Sequence, residues 1–352
     1  MTFGRALLSW YKKNKRDLPW RNTRDPYFIW LSEIILQQTR VEQGLNYYLR
    51  FTGKYPTVYS LARAPQDEVL KLWQGLGYYS RARNLHATAA MIVEKYNGKF
   101  PADFNELRTL KGIGDYTAAA ITSFAFDQKE PVVDGNVFRL LSRYFGIRTP
   151  IDSGNAKKEF RKIAFDLMQK LPPHDFNQAI MEFGSKQCKP MNPDCNSCPL
   201  QTSCFAFENN EVSNLPVKDK KQKVRKRFFN YLVIKEGNSF YLHKRSEKDI
   251  WIHLYDFPLL ELTKKTSETG FFKSKEWKEW SSKHPVLIES ISSEKKHLLS
   301  HQTIYARFIQ LRPRKGKTFK PLKEWKKVNS GTMHKYAVPR LTEKYLEECE
   351  LL

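Results

Sequence analysis

Four cysteines near the middle of the chain have a spacing that can hold a metal centre. Six, two and five residues separate Cys188, Cys195, Cys198 and Cys204. Four soft thiolates select zinc or an iron–sulfur cluster over hard cations. Zinc sites usually present two Cys-x-x-Cys pairs, whereas this spacing contains one, which favours a 4Fe–4S cluster and leaves zinc as the alternative. Disulfides are disfavoured, because the chain starts without the leader of an exported protein.

Two acidic residues occupy positions suited to proton chemistry. Glu33 lies in the apolar segment 29–36, where desolvation would raise its pKa. Asp134 follows the apolar residues 131–133 and precedes Gly135, a position that can present a side chain at a cleft. Simpler interpretations stay open: Glu33 can face water from a half-buried helix, and Asp134 can cap a helix. One protonated and one ionised carboxyl can cleave an N-glycosidic bond.

A Gly-x-Gly turn joins two helical patterns in residues 110–118 (LKGIGDYTA). Gly112 and Gly114 allow the backbone to approach a phosphate, and the next helix offers free N–H groups at its N-terminus. A plain turn is the alternative. The helical flanks favour a helix–hairpin–helix, which clamps the DNA backbone without regard to sequence.

The charge balance indicates a polyanionic partner. The chain of 352 residues contains 60 Lys and Arg against 37 Asp and Glu, a net charge of +23, and aromatic residues make up 14%. Such an excess attracts nucleic acid, although a solubilising coat or an anionic membrane surface are alternatives. No apolar run approaches membrane-spanning length, so we expect no membrane partner.

Hydrophobic periodicity predicts that an all-α domain positions these residues. Apolar residues recur at helical spacing in segments 28–41, 67–73, 82–96, 116–126, 156–171 and 176–183. Seven of the ten residues from 218 to 227 are basic, which is typical of an exposed linker. After it, segments 228–234, 239–245 and 302–311 are predicted strands, and 339–352 a closing helix. We therefore expect an all-α domain at 1–216, a basic linker at 217–227 and an α/β domain at 228–352.

Several long motifs together resemble the adenine DNA glycosylase family of the MutY type, within the helix-hairpin-helix glycosylases. They are WLSEIILQQT at 30–39, GLGYYSRARNL at 75–85, VDGNV at 133–137 and the four-cysteine spacing. The match is dense from about residue 18 to residue 204 and looser beyond. It implies a 4Fe–4S cluster on the four cysteines.

The resemblance also implies roles for individual residues. Glu33 would protonate the adenine, and Asp134 would stabilise the oxocarbenium-like transition state. Tyr116 stands where related glycosylase/lyases carry a Schiff-base lysine, and a phenol cannot form an imine. Tyr116 and Asn136 would instead support the catalytic carboxylate or the reacting sugar.

Further matching residues would contact the substrate. Arg21 and Glu182 match polar groups of the adenine pocket, and Gln38 and Tyr78 match residues that wedge into the base stack. Without the resemblance, Tyr78 would be an ordinary core aromatic and Arg21–Glu182 a weak surface ion pair.

The C-terminal part is similar to the MutT-like (Nudix-like) domain with which this family recognises 8-oxoguanine. Its key loop should be His-x-Phe-Ser-His, whereas this chain has HLLSH at 297–301, so that Leu299 replaces the aromatic residue. Ser300 and His301 remain for hydrogen bonds to the lesion. A Nudix metal box is missing from the sequence after residue 258, so we expect no pyrophosphohydrolase activity.

The expected protein is a monofunctional glycosylase of base excision repair. It would remove adenine paired with 8-oxoguanine, and secondarily with guanine, from double-stranded DNA, as a cytoplasmic bacterial monomer. The rivals are an endonuclease III-like glycosylase/lyase and a catalytically silent lesion-binding protein.

Overall fold

The computed structural model describes residues 2–219, 224–246 and 249–351. The chain divides into two compact units. The first unit comprises Met1–Arg63 and Asn84–Lys221, and the second comprises Ala64–Arg83 and Gln222–Leu352. Segment Ala64–Arg83, which lies between helices of the first unit in the sequence, thus groups with the C-terminal residues. The predicted domains, which follow one another along the sequence, do not include this grouping. Residues 220–223 of the predicted linker lie outside the described residues.

Helices make up the part before residue 220, as the periodicity predicted. They are α1 (Phe3–Asn14), α2 (Pro26–Leu36), α3 (Val41–Lys54), α4 (Val58–Arg63), α5 (Gln66–Trp73), α6 (Ser80–Tyr96), α7 (Phe104–Arg108), α8 (Asp115–Phe126), α9 (Gly135–Phe145), α10 (Ala156–Met168), α11 (Pro173–Lys186) and α12 (Phe205–Glu208). Among the described residues, none of the helices combines the length and apolar character needed to cross a bilayer.

Local signals set the ends of the helices that carry the site. The Asp25 carboxylate accepts a hydrogen bond from the Tyr27 N–H at 2.8 Å, and Pro26 occupies the first turn of α2. The prediction that this helix reaches residue 41 was wrong, because Gln38 has a φ of 55° and the chain leaves the helix after Leu36. Helix α9 ends at Phe145 and is capped by Gly146, whose φ of 70° suits a glycine.

One hydrophobic cluster of the first unit lies between α1, α9, α10 and α11. It contains the fully buried side chains of Leu7, Leu141, Phe160 and Phe183. Gly184 permits α11 to approach α9 closely, because a Cβ there would lie 2.7 Å from the Asn136 carbonyl oxygen. Packing of α11 therefore supports the residues at the start of α9.

The C-terminal residues form a mixed sheet with helices. Its strands are β1 (Arg225–Glu236), β2 (Ser239–Lys244), β3 (Tyr255–Asp256), β4 (Leu259–Leu262), β5 (Val286–Ile291), β6 (Lys295–Leu298), β7 (Gln302–Pro313) and β8 (Trp325–Asn329). The helices are α13 (Glu268–Phe272), α14 (Lys275–Lys283) and α15 (Arg340–Glu348).

Strands β1 and β7 are the parallel centre of this sheet, in the order β3-β2-β1-β7-β5. Strand β4 also pairs with β1, β6 with β7, and β8 with β2. Arg225–Arg227, predicted to lie in the linker, begin β1, and Arg227 is buried between Asp249 and Glu261. These two ion pairs explain why Arg227 is buried, although the run of basic residues in the sequence predicted an exposed linker.

Candidate active site

A cavity of about 670 Å³ in the first unit brings together the candidate catalytic residues. Its walls come from the end of α2, the first turn of α8 and the residues that lead into α9. The predicted site residues among its lining are Glu33, Gln38, Gly114, Tyr116 and Asp134. Residues that are far apart in the sequence therefore share one concave site.

Glu33 is a buried acid at this cavity. Its side chain belongs to the apolar helix α2 and is 7% exposed. Burial raises the pKa of the Glu33 carboxyl to about 7, and the charge of Asp134 acts in the same direction, while a hydrogen bond from Tyr116 and the charge of Arg21 oppose it. Glu33 can therefore carry a proton near neutral pH and release it to a bound group.

Tyr116 supplies a fixed donor to Glu33. It follows Asp115 at the start of α8, and burial together with the charge of Glu33 raises the pKa of its phenol well above the usual value. The hydroxyl consequently keeps its proton and can donate it in a hydrogen bond to the carboxylate. The Met181 sulfur lies 4.0 Å from the same hydroxyl.

Asp134 both caps helix α9 and lines the cavity, so the two interpretations of this residue are compatible. Its Oδ1 accepts hydrogen bonds from the N–H groups of Asn136 at 2.9 Å and Val137 at 2.8 Å. The Asn136 side chain donates to Oδ2 at 2.7 Å. Burial raises the pKa of Asp134, and these donors and the charge of Arg139 oppose that rise.

Asn136 is itself held in place. Its Oδ1 accepts a hydrogen bond from the Arg139 guanidinium at 2.9 Å, and the same guanidinium nitrogen donates to the Gly184 carbonyl at 2.6 Å. Arg139 was not identified from the sequence, although it lies one helical turn after Asn136. This chain of donors fixes the orientation of the Asp134 carboxylate.

Glu182 forms a buried ion pair with two arginines and is absent from the cavity lining. Arg16 donates to it at 2.8 and 2.6 Å, and Arg21 at 2.8 Å. Burial disfavours the charged carboxyl, yet the bonds from Arg16 and Arg21 outweigh it and lower the pKa of Glu182 to about 2. The pair is thus no weak surface contact, and Arg16 is a member that the sequence did not reveal.

The helix–hairpin–helix glycines have different local environments. Gly112 has a φ of 77°, and a Cβ there would lie 2.8 Å from the Asn84 Cβ. Gly114 caps α8 with a φ of −94°, and its added Cβ would meet nothing within 4 Å. Gly112 therefore shapes the turn, whereas Gly114 leaves the helix N-terminus open to an approaching group.

The two predicted wedge residues share an unusual backbone conformation. Gln38, beside the cavity in the first unit, has a φ of 55°, and Tyr78, in the second unit, has a φ of 46°. Left-handed conformations are uncommon outside glycine and mark positions that the surrounding structure holds. Tyr78 is 43% exposed, so it is not an ordinary core aromatic.

The predicted lesion-recognition residues lie in the turn between β6 and β7. The Ser300 Oγ and His301 Nδ1 are 3.1 Å apart, and both side chains are exposed. The turn is closed by a hydrogen bond of 2.8 Å from the Leu299 N–H to the Gln302 carbonyl. Leu299 is half-buried, whereas Leu298 is 68% exposed.

The four predicted cysteine ligands line one small cavity of about 30 Å³ in the first unit. None forms a disulfide. In the described parts of the chain, no three Cys, His, Asp or Glu side chains are placed to hold one metal ion. Arg143 donates to the Cys188 sulfur at 3.4 Å and to the Lys189 carbonyl at 2.7 Å. Four thiols around a shared space, with a cation beside them, are a donor set of the kind that holds a zinc ion or an iron–sulfur cluster.

Two residues of α10 at the active cavity were missed from the sequence. Lys157 and Arg161 both line it, and Arg161 forms an ion pair with Glu130. The apolar periodicity of α10 predicted the helix, but its polar face carries many charges. Which of these charged residues line the cavity depends on the tertiary structure, so the sequence did not identify Lys157 and Arg161.

Comparisons with known proteins agree with this geometry. Residues 31–165 match the model of the HhH-GPD superfamily of base excision DNA repair proteins, and residues 230–348 match that of the NUDIX domain. An adenine DNA glycosylase of Buchnera aphidicola subsp. Baizongia pistaciae is 35% identical over 313 residues, covering 87% of this chain and 84% of that protein.

The chain belongs to the adenine DNA glycosylase family. A second member, from Buchnera aphidicola subsp. Schizaphis graminum, is 39% identical over 270 residues, 76% of this chain and 77% of the relative. A solved structure of a thermostable thymine-DNA glycosylase superposes with a TM-score of 0.55 at 31% identity, covering 59% of this chain and 95% of the other. Membership of the adenine DNA glycosylase family confirms the predicted class of enzyme, a base-excision hydrolase of N-glycosyl bonds, and the fold.

Proposed function

We propose that this adenine DNA glycosylase family member removes adenine that is paired with 8-oxoguanine, and secondarily with guanine, by monofunctional hydrolysis. The observation that carries the proposal is that Glu33, a buried acid whose pKa burial raises to about 7, lines the same cavity as Asp134. An acid and a carboxylate with such different environments can divide the work of cleaving an N-glycosidic bond.

In the proposed reaction, Glu33 donates its proton to the departing adenine. Asp134 stabilises the positive charge that develops on the sugar, since its oxygens are held by Asn136 and Val137. Tyr116 keeps the Glu33 carboxyl oriented by its hydrogen bond. Because Tyr116 offers no amine, we propose that no Schiff base forms there and that strand cleavage by a lyase step does not follow.

The protein would hold DNA through contacts with the phosphate backbone and through side chains inserted into the base stack. The hairpin at Gly112 and Gly114 would bind phosphate, while Gln38 and Tyr78 would support extrusion of the adenine, which costs a few kcal/mol. Neither Arg21 nor Glu182 lines the cavity, so they would position the extruded base through the charge of Arg21, which acts on Glu33 and is held by Glu182. Ser300 and His301 would bind the 8-oxoguanine by hydrogen bonds.

We further propose a 4Fe–4S cluster on Cys188, Cys195, Cys198 and Cys204. When bound, it would cross-link the loop that contains the four cysteines and so support DNA binding. Arg139 holds the Cys188 carbonyl at 2.8 Å and Arg143 holds those of Lys189 and Pro190. These hydrogen bonds hold the backbone of the loop near Cys188, the first of the four proposed ligands. We propose that the protein works as a cytoplasmic monomer.

Single-turnover adenine release tests the function. The substrates are duplexes with one central 8-oxoguanine:adenine, guanine:adenine or thymine:adenine pair, and the control variant is Glu33→Gln. Wild type should release adenine from the mispairs only. Glu33→Gln should lose roughly 10²–10⁴-fold in rate, as removal of an acid–base group does, with duplex affinity kept.

Three results would each contradict part of the proposed function. A DNA-binding wild type that releases no adenine would be a lesion-binding protein rather than an enzyme of this specificity. Loss of duplex affinity in a folded Glu33→Gln protein would contradict the acid role. A covalent borohydride adduct as strong as that of a lyase would contradict the monofunctional reaction.

A further inference from the structure

Segment 64–83, which contains Tyr78, is built into the second unit although it lies between helices of the first in the sequence. Asp67 of α5 accepts a hydrogen bond from the Lys244 ammonium of β2 at 2.6 Å and from the Tyr255 hydroxyl of β3 at 3.0 Å. An exposed ion pair alone contributes little, but here several contacts act together.

The residue immediately before the Tyr78 loop, Gln74, is anchored to the segment around α15. Its Nε2 donates to Glu343 at 2.6 Å, and its Oε1 accepts from the Val338 N–H at 3.4 Å. Lys71, one turn earlier in α5, donates to the Tyr336 carbonyl at 3.0 Å. The N-terminal flank of the loop is therefore fixed to the second unit.

The C-terminal flank of the loop is anchored by Arg83, in the first turn of α6. Its guanidinium donates to the Ile252 carbonyl at 3.0 Å. Ile252 lies between Trp251 and His253, which have φ values of 61° and 67°. The Trp251 ring packs edge-on against His297 at 5.7 Å. His297 lies in β6 and begins segment 297–301, whose turn would bind the lesion.

Contacts within the loop also hold its shape. Gly75 and Gly77 have φ values of 96° and 74°, and the Trp73 indole donates to the Gly77 carbonyl at 3.0 Å. The Arg81 guanidinium lies 5.0 Å from the Trp73 ring and 5.8 Å from the Tyr78 ring. Anchors on both flanks thus determine where the exposed Tyr78 ring is presented.

We propose that Arg83 is a positioning residue that sets the spacing between Tyr78 and the turn 297–301. A fixed spacing lets one DNA duplex engage the wedge and the lesion-binding turn at the same time, so it adds affinity for a pair containing 8-oxoguanine. With Arg83 removed, each contact can still form, but both together would require costly ordering of the loop. The inference rests on the proposed function for the identity of the lesion.

The test measures duplex affinity in a Glu33→Gln background, so that it does not depend on catalysis. Arg83→Met should reduce the preference for 8-oxoguanine:adenine over guanine:adenine about tenfold, the size of one hydrogen bond to a charged group. Affinity for guanine:adenine should stay at its starting value. Arg83→Lys, which keeps a donor, should restore most of the preference.

Two controls separate positioning from loss of charge or fold. Arg63→Met removes an exposed arginine from the end of α4 and should leave the preference unchanged. The double variant Arg83→Met/Trp251→Leu should lose no more preference than Arg83→Met alone. Both substitutions break the same connection, which runs from Arg83 through residues 251–252 to His297. A 2-aminopurine base placed beside the lesion should unstack less when Arg83→Met binds the duplex than when the protein with Arg83 intact binds it.

An unchanged preference in folded Arg83→Met would overturn the inference, and so would equal loss on both mispairs or the same loss in Arg63→Met. Failure of the proposed function has a different signature. There, the wild-type protein with Glu33 intact releases no adenine from either mispair, whatever the affinity ratio of the Arg83 variants.

Discussion

The two carboxyl groups of the cavity differ because their surroundings differ. Glu33 is buried in an apolar helix with the Tyr116 phenol as its hydrogen-bond partner, which leaves its pKa at about 7. Burial raises the pKa of Asp134 as well, but Asp134 accepts three hydrogen bonds around the N-terminus of α9, and these oppose that rise and favour its ionised form. One fold thereby maintains an acid and a carboxylate side by side.

Burial of Glu33 should have a measurable effect on stability. A folded-state pKa raised from 4.5 to about 7 means that the folded protein binds more protons than the unfolded chain between these values. Stability should therefore fall as the pH rises from 4.5 to 7, by about 3 kcal/mol for this group alone. Glu33→Gln should gain stability over wild type at pH 8 and little at pH 5 in urea denaturation. A constant difference at both pH values would argue against a buried, protonated acid.

Tyr116 should tune the pH range of the reaction. Its hydrogen bond lowers the pKa of Glu33, so Tyr116→Phe should raise that pKa further. The rate requires protonated Glu33 and falls as the pH passes the pKa, so the fall should begin at a higher pH in Tyr116→Phe. Single-turnover rates from pH 5 to 9 measure the shift. A fall that begins at the same or a lower pH would show that Tyr116 does not donate to Glu33.

At the scale of elements, the hairpin between α7 and α8 contains two glycines with separate physical requirements. Gly112 needs its positive φ and the space beside Asn84, whereas Gly114 needs neither. A glycine at the open N-terminus of α8 leaves room for an external group to approach the free N–H groups.

Alanine substitutions should separate these two requirements. Gly112→Ala should destabilise the free protein by roughly 1–2 kcal/mol, because the residue is strained at positive φ and meets Asn84. Gly114→Ala should leave the melting temperature nearly unchanged and weaken binding to an undamaged duplex. Thermal denaturation and duplex affinity measured on both variants check the pair. Equal effects of the two variants on both quantities would contradict the assignment.

Hydrophobic periodicity in the sequence predicted helices well because each has an apolar face, and the motifs located Glu33 and Asp134 near the cavity. Periodicity could not show that Gln38 leaves the helix, since that depends on one backbone angle. Nor could it identify Arg16 or Arg139, whose partners are distant in sequence or are backbone groups created by the fold. The grouping of segment 64–83 with the C-terminal residues likewise depends on tertiary contacts alone.

At the scale of the whole molecule, the two units have separable tasks in the proposed reaction. The first contains the cavity with Glu33 and Asp134, and the second contains both Tyr78 and the turn with Ser300. Catalytic power and preference for the lesion should therefore respond to different substitutions. The net charge of +23 adds a third, sequence-independent contribution that salt should weaken for every duplex.

Ser300→Ala should reduce lesion preference without impairing the chemistry. The exposed Ser300 hydroxyl is available to bond the lesion, and a neutral hydrogen bond contributes about 1 kcal/mol, or roughly fivefold. Single-turnover rates at subsaturating protein should fall by that factor on 8-oxoguanine:adenine and stay constant on guanine:adenine. Ser282→Ala, on the exposed surface of α14, is the matched control and should change neither rate. Equal loss on both mispairs would assign Ser300 to general DNA binding, because only a contact with the lesion itself can distinguish the two substrates.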